Sequence, residues 1–179
     1  CFALSASVAL RGEGEARPSG YSYISSLRYD QLPTEGYGQL AYQRALRKIG
    51  QRKAPSGRYT LVVDSRCVRQ LLNPMVNALY GPALHQQNSF LLDRLGKQVG
   101  SSRFTLLDEP HLIGANGARY FDGEGVATRP MTVFDAGTLR TYYIDTYCAR
   151  KMEVEPTIAS PSLLVLAPGA QTQEELIAE

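Results

Sequence analysis

The chain has few of the residues from which metal and nucleophile sites are built. Its two histidines are His85 and His111, and neither lies in an H-E-x-x-H pattern, by which one helix supplies two imidazoles and a glutamate to zinc. Its three cysteines, Cys1, Cys67 and Cys148, are odd in number and lack C-x-x-C spacing, which favours isolated thiols in a reducing compartment. The sequence argues against a metalloprotease centre. A site combining both histidines with Cys67 or Cys148 is the alternative.

An excess of one charge and a long apolar run are also missing. Nineteen Lys and Arg residues against seventeen Asp and Glu give a formal net charge of +2, which creates no strong field for nucleic acid or an acidic membrane. No apolar run approaches the roughly 20 residues that a membrane-spanning helix needs. We therefore expect a cytoplasmic protein that binds neither a membrane nor nucleic acid.

Hydrophobic periodicity predicts the elements of the first part of the chain. Alternating residues predict strands from Phe2 to Leu10 and from Tyr21 to Tyr29, joined by a loop from Arg11 to Gly20. A helix is predicted from Pro33 to Gly50, followed by a polar linker at residues 51–57. The strand pattern at the first residues and a helical pattern at the last ones suggest a piece of a longer chain.

The second part of the chain contains more strand patterns than helical ones. A helical pattern spans Ser65 to Tyr80, where Pro74 either follows an N-cap at Asn73 or kinks the helix. Strands are predicted at residues 59–63, 104–108 and 163–166, and the strongest hairpin pattern covers residues 131–145, with Cys148 packed at its end. The predicted fold is α+β, a mainly antiparallel sheet with a few helices.

The glycine-rich segment Gly114 to Gly125 has no phosphate-binding motif, but it contains an acidic pair near its end, Asp122 and Glu124. Asp122 and Glu124 either bind a cation or a peptide amine, or accept hydrogen bonds from turn amides, as such carboxylates commonly do. The first interpretation makes this loop a candidate substrate-binding segment, formed by Phe121, Asp122, Glu124 and Gly125.

Three blocks of sequence resemble the TldD/PmbA family, also called the modulator-of-DNA-gyrase family. They are Ser89 to Val99, Phe121 to Arg129 and Tyr147 to Lys151, and they occur in the family's order. The resemblance covers essentially Gly57 to Glu179. It implies that residues 1–56 end an N-terminal domain and its linker helix, and that residues 57–179 form the first part of a C-terminal domain.

The resemblance also assigns positions on the helix of the second part. TldD-type members carry H-E-x-x-x-H there, and matching Asn77 to Gly81 with the family's H-A-L-E-G places the three functional residues at Leu72, Asn73 and Asn77. Leu72 cannot bind a metal, and an asparagine amide cannot act as a general base. Pro74 also disfavours an uninterrupted helix. These replacements resemble the TldE/PmbA branch, which lacks the motif.

That branch implies a non-catalytic subunit of a heteromeric metalloprotease. We expect no cofactor in this chain, zinc only in a TldD-like catalytic partner, and peptides or unfolded segments as substrates, added as a strand to a sheet edge. A homodimer is a possible arrangement.

Two other functions stay open. One is an independent hydrolase with a site around His111, Asp122, Glu124 and Cys148. The other is a gyrase- or DNA-linked regulator, against which the low net charge argues.

Overall fold

The computed structural model describes residues 1–11, 17–33 and 35–178, which form two compact units, Cys1–Tyr59 and Thr60–Glu179. Gly12 to Ala16 of the predicted loop, and Thr34 at the predicted helix start, lie outside the described residues. The described strands pair antiparallel, and runs of strands and runs of helices follow one another along the chain, so the α+β prediction is confirmed.

The first unit is a two-stranded ribbon with one helix. Strands β1 (Phe2–Ala9) and β2 (Ser19–Ser26) pair along their whole length, as the alternating pattern predicts. Helix α1 (Tyr37–Leu46) packs against the ribbon through Ala41 and Ala45, which are completely buried. Small side chains at these two positions let the helix approach the strands closely.

Helix α2 (Ser65–Asn77) opens the second unit and corrects the expectations about Pro74. It starts at the N-cap Asp64, whose carboxylate accepts the Arg66 amide hydrogen at 2.9 Å, so Asn73 is not the N-cap. The helix continues through Pro74, and the Ala78 amide donates to the Pro74 carbonyl at 3.2 Å. Pro74 removes one backbone bond to Gln70, and burial of the following turn offsets that loss.

The strand predicted at Tyr59 to Val63 is wrong. The segment is irregular and largely exposed, with Leu61 76% accessible. Its β-branched and aromatic residues suit a strand, but a strand forms only where a neighbour pairs with its backbone groups, and no described strand does so.

The second unit is built around a four-stranded antiparallel sheet of order β5-β4-β3-β6. Its strands are β3 (Leu106–Asp108), β4 (Met131–Asp135), β5 (Thr138–Leu139) and β6 (Leu164–Leu166). The buried residues of its hydrophobic core come from this sheet and from the segments around it: Ala78, Leu79, Leu91, Leu106, Val133, Phe134, Leu139, Tyr143 and Ile158.

The predicted hairpin is confirmed, with a shorter second strand. Ala136 and Gly137 form the two-residue loop between β4 and β5 with φ of 45° and 79°, the geometry of a type I′ turn. Gln98, from the block Ser89 to Val99, holds this turn: its side-chain amide donates to the Ala136 carbonyl at 2.9 Å, and its side-chain oxygen accepts from the Thr138 hydroxyl at 2.9 Å.

Cys148 lies on a helix, not at the end of a hairpin strand. Helix α4 (Thr146–Met152) is capped by Asp145, whose carboxylate accepts the Cys148 amide hydrogen at 2.6 Å. The short helix α3 (Gly81–His85) packs against it, and a Cβ at Gly81 would lie 2.8 Å from the Cys148 Cβ. This close approach requires glycine.

A 3₁₀ turn (Tyr29–Gln31) and helix α5 (Gln173–Ala178) complete the described elements. The longest helix is α2 with 13 residues, and within the described ranges no helix combines the length and the apolar character needed to cross a bilayer.

Gly137→Ala is expected to destabilise the second unit by about 2–5 kcal/mol, because a Cβ there would meet the Gly100 carbonyl oxygen at 2.4 Å in a left-handed backbone. Gly123→Ala is the control, since a Cβ at Gly123 meets nothing within 4 Å. Urea unfolding of both variants measures the difference. Equal midpoints would contradict the packing assigned to this turn.

Candidate functional site

The second unit contains a groove of about 710 Å³ between α2 and β6, in the size range of ligand sites. Helix α2 forms one wall, and the segment leading into β6 forms the other. The lining residues are Ser65, Val68, Arg69, Leu72, Asn73, Val76, Asn77, Tyr80, Leu106, Pro161, Ser162, Leu163, Leu164 and Leu166.

The helical wall contains all three positions that match the TldD-type motif. The Leu72 side chain packs against the hydrophobic core, where it anchors α2 to the sheet. Asn73 and Asn77 are exposed, one helical turn apart, and both line the groove. This wall therefore presents two neutral amides, each able to donate and accept hydrogen bonds.

The opposite wall is β6, the last strand of the sheet formed by the described residues. The Leu163 carbonyl accepts from the Glu109 amide at 2.9 Å, and the Ala167 amide donates to the Thr105 carbonyl at 3.0 Å. Because strand residues alternate in direction, the backbone groups of Leu164 and Leu166 point away from β3. Within the part of the chain that the structure describes, no strand pairs with these groups, and an added strand could do so.

Asp108 binds the backbone of this wall. The sequence analysis did not predict this role. Asp108 is completely buried, and its carboxylate accepts hydrogen bonds from the amides of Ser162 and Leu163 at 2.8–3.1 Å. The Tyr143 hydroxyl also donates to it, at 3.1 Å. A buried carboxylate with three such donors holds the backbone of the wall in one position.

Arg119 binds the same segment. Its guanidinium donates to the Ser162 hydroxyl at 2.9 Å, to the Ser160 carbonyl at 2.6 Å and to the Pro161 carbonyl at 3.2 Å. The fixed, planar fork of the guanidinium suits simultaneous contacts of this kind.

Two tyrosines lie between α2 and the Asp108 cluster. The rings of Tyr80 and Tyr143 pack with centroids 6.1 Å apart, and Tyr80 lines the groove. Burial raises the pKa of both phenols, and the nearby Asp108 carboxylate raises each further. Both hydroxyls therefore remain neutral hydrogen-bond donors at physiological pH.

The candidate substrate-binding loop binds its own backbone. The buried Asp122 carboxylate accepts from the amides of Glu124, Val126 and Ala159, each at 2.9 Å. Glu124 accepts from the Thr146 amide and hydroxyl at the start of α4. The loop therefore connects α4 with the segment that leads to the groove wall.

The other two residues of that loop have different environments. Phe121 is 65% exposed, and Gly125 turns the chain with φ of 79°. Neither residue lines the groove. That Phe121, Asp122, Glu124 and Gly125 bind substrate stays a prediction.

Of the residues of the alternative hydrolase site, Glu124 lies near Cys148 at the start of α4, but His111 has other neighbours. His111 contacts the Thr128 hydroxyl at 3.2 Å and packs on Tyr120, whereas Cys148 is buried with Leu84 and Ile144. Burial raises the pKa of the Cys148 thiol, and Asp145 raises it further. A raised pKa disfavours the nucleophilic thiolate.

The residues of the groove do not fit a metal centre of the kind implied by the TldD-type motif. Zinc binds through imidazole, thiolate or carboxylate groups, and the groove walls present leucine, asparagine, serine and one arginine instead. Within residues 1–11, 17–33 and 35–178, no group of three or more His, Cys, Asp or Glu side chains could hold a metal ion.

The fold agrees with a known type of domain. Residues 56–179 match the family model of the PmbA/TldA metallopeptidase C-terminal domain. The second unit is thus a C-terminal domain of the metallopeptidase type. The chain belongs to the PmbA/TldD family, as its three sequence blocks predict.

Similar proteins agree with this assignment. A metalloprotease PmbA homolog from Haemophilus influenzae is 27% identical over 87% of this chain and 35% of its own length. A crystal structure from Bacteroides thetaiotaomicron, of a protein described as a modulator of DNA gyrase, is 55% identical with a TM-score of 0.95. A protein from Thermotoga maritima with the same description is 29% identical with a TM-score of 0.88.

The chain is much shorter than these relatives. Each crystal structure matches 98% of this chain, which covers 40% of the Bacteroides protein and 42% of the Thermotoga protein. The chain spans about a third of the curated relative from Haemophilus influenzae.

Asp122→Asn is expected to cost about 2–4 kcal/mol near neutral pH, because an amide cannot accept all three backbone bonds. Burial alone would raise the pKa of Asp122, but these bonds and the nearby Arg119 outweigh it and lower the pKa. The stabilisation is therefore complete above the unfolded pKa near 4 and disappears as pH falls through the lower folded value.

Urea unfolding between pH 7 and pH 2 checks this expectation. The wild-type chain should lose stability below pH 4 more steeply than Asp122→Asn, and the exposed Glu155→Gln should behave like the wild type. A difference between wild type and Asp122→Asn that stays constant down to pH 2 would show that the carboxylate charge is not what stabilises the loop.

Proposed function

We propose that this chain is part of a PmbA/TldE-like, non-catalytic subunit of a heteromeric metalloprotease. In this assembly it binds peptides or unfolded segments in the groove between α2 and β6. A TldD-like partner supplies the zinc and the hydrolytic chemistry. The relative from Haemophilus influenzae bears the name PmbA, which supports assignment to this branch.

One observation carries the proposal: what α2 presents at the positions of the TldD-type motif. Leu72 is turned into the core, and Asn73 and Asn77 place neutral amides in the groove. Groups of this kind neither hold zinc nor take a proton from water, but they do hydrogen-bond to peptide groups. The same helix that is catalytic in a TldD-type subunit therefore serves recognition here.

The sheet edge supports a peptide as the bound molecule. An extended peptide placed beside β6 would pair with the outward backbone groups of Leu164 and Leu166 and complete a fifth strand. Leucine side chains of the groove, Leu164 and Leu166 among them, would cover its apolar residues. Main-chain pairing depends little on sequence, which suits a protein that handles unfolded segments.

The assembly and its location belong to the proposal as well. The TldD-like subunit is the expected partner, a homodimer is the alternative arrangement, and the cytoplasm is the expected compartment. Since the chain covers about a third of its curated relative from Haemophilus influenzae, the activity of the whole protein depends also on regions outside this sequence.

The purified chain, dialysed against a weak chelator, is expected to retain less than about a tenth of an equivalent of zinc by plasma mass spectrometry, far below a structural or catalytic site. It should not cleave peptides alone and should form a complex with a TldD-type protein. Leu72→Ala serves as a stability control and should lower the free energy of unfolding, measured in urea, by about 2–4 kcal/mol, because Leu72 packs against the core.

Stoichiometric zinc together with peptide cleavage by the chain alone would contradict the proposal. His85, His111 and the three cysteines would then be the residues to replace first.

A further inference from the structure

The groove has one charged side chain in its lining. Arg69 lies on α2, one turn before Asn73, and no aspartate or glutamate accompanies it among the described lining residues. The Arg69 side chain is exposed, and none of the ion pairs among the described residues involves it. Its positive charge is therefore available to a molecule in the groove.

Arg66, on the same helix, has a structural ion pair and can serve as a comparison for Arg69. Arg66 lies three residues earlier, does not line the groove, and pairs with Asp64 at 2.8 Å through two parallel hydrogen bonds. The two arginines share a helix and differ in their partners, which makes them a matched pair for experiment.

Helical spacing arranges Arg69, Asn73 and Asn77 in one row along the groove. The row spans eight residues, or about 12 Å at 1.5 Å per residue. Extended peptide rises about 3.3 Å per residue, so the row matches roughly four peptide residues. The asparagines can hydrogen-bond to peptide groups at any position, whereas the guanidinium prefers an anion, and a carboxylate fits its fork in two parallel bonds.

We infer that the groove selects extended peptides that carry a carboxylate, either a free C-terminus or an acidic side chain, which binds Arg69 at the N-terminal end of the α2 row. This substrate class rests on the proposed peptide-binding function of the groove. Complementary charge selects the peptide and sets its position, while the apolar residues of the groove and the backbone of β6 bind the rest of the peptide.

The test uses four fluorescent hexapeptides of one neutral, apolar-polar sequence, measured by anisotropy with the purified chain at low salt. The first is capped at both ends, the second has a free C-terminal carboxylate, the third is capped and contains one glutamate, and the fourth is capped and contains one lysine. At least one carboxylate peptide should bind about fivefold more tightly than the capped neutral one, as expected for an exposed ion pair.

Three variants assign that preference to one residue. Arg69→Gln should remove this preference, Arg69→Lys should retain most of it, and Arg66→Gln, outside the groove, should retain all of it. Comparing the second and third peptides distinguishes a terminal carboxylate from an acidic side chain.

The outcomes separate this inference from the proposed function. Equal affinities for all four peptides, or a carboxylate preference that survives Arg69→Gln, overturn the inference and leave the groove as a peptide site. Failure of every peptide to bind overturns both.

Discussion

The groove depends on the buried carboxylate of Asp108. Three donors hydrogen-bond to it, the Ser162 and Leu163 amides and the Tyr143 hydroxyl, and Arg119 binds the same segment at Ser160 to Ser162. A carboxylate in a completely buried position is stable only with such partners. Together these contacts hold β6 opposite α2, with a fixed backbone and a fixed register against β3.

The two walls of the groove have complementary functions. Helix α2 is attached to the core through Leu72 and presents Arg69, Asn73 and Asn77 to the opening. Strand β6 presents unpaired backbone groups and leucine side chains. This combination supports the proposed recognition of an extended peptide, in which the helix at the position of the TldD-type motif binds peptide groups rather than a metal.

Local patterns predicted the elements whose signals are local. The Ala136 and Gly137 turn is an example, because its residues and its flanking strands are adjacent in sequence. Helix α4 was missed although Asp145 is a good N-cap, since the strand pattern before it was extended too far. Asp108 could not be predicted from any local pattern, because it binds Ser162 across 54 positions. The motif positions on α2 came from the family resemblance, and their orientation from the structure.

Hydrogen exchange of backbone amides, followed by NMR with and without a capped neutral hexapeptide, tests the central claim most directly. Slower exchange is expected at Leu164 and Leu166 when the peptide is present, because an added strand would bind these outward amides. Strand β1 serves as the control, because it lies in the first unit and pairs with β2. Exchange of its amides should not change. Protection at β1 with none at Leu164 and Leu166 would contradict a peptide site between α2 and β6.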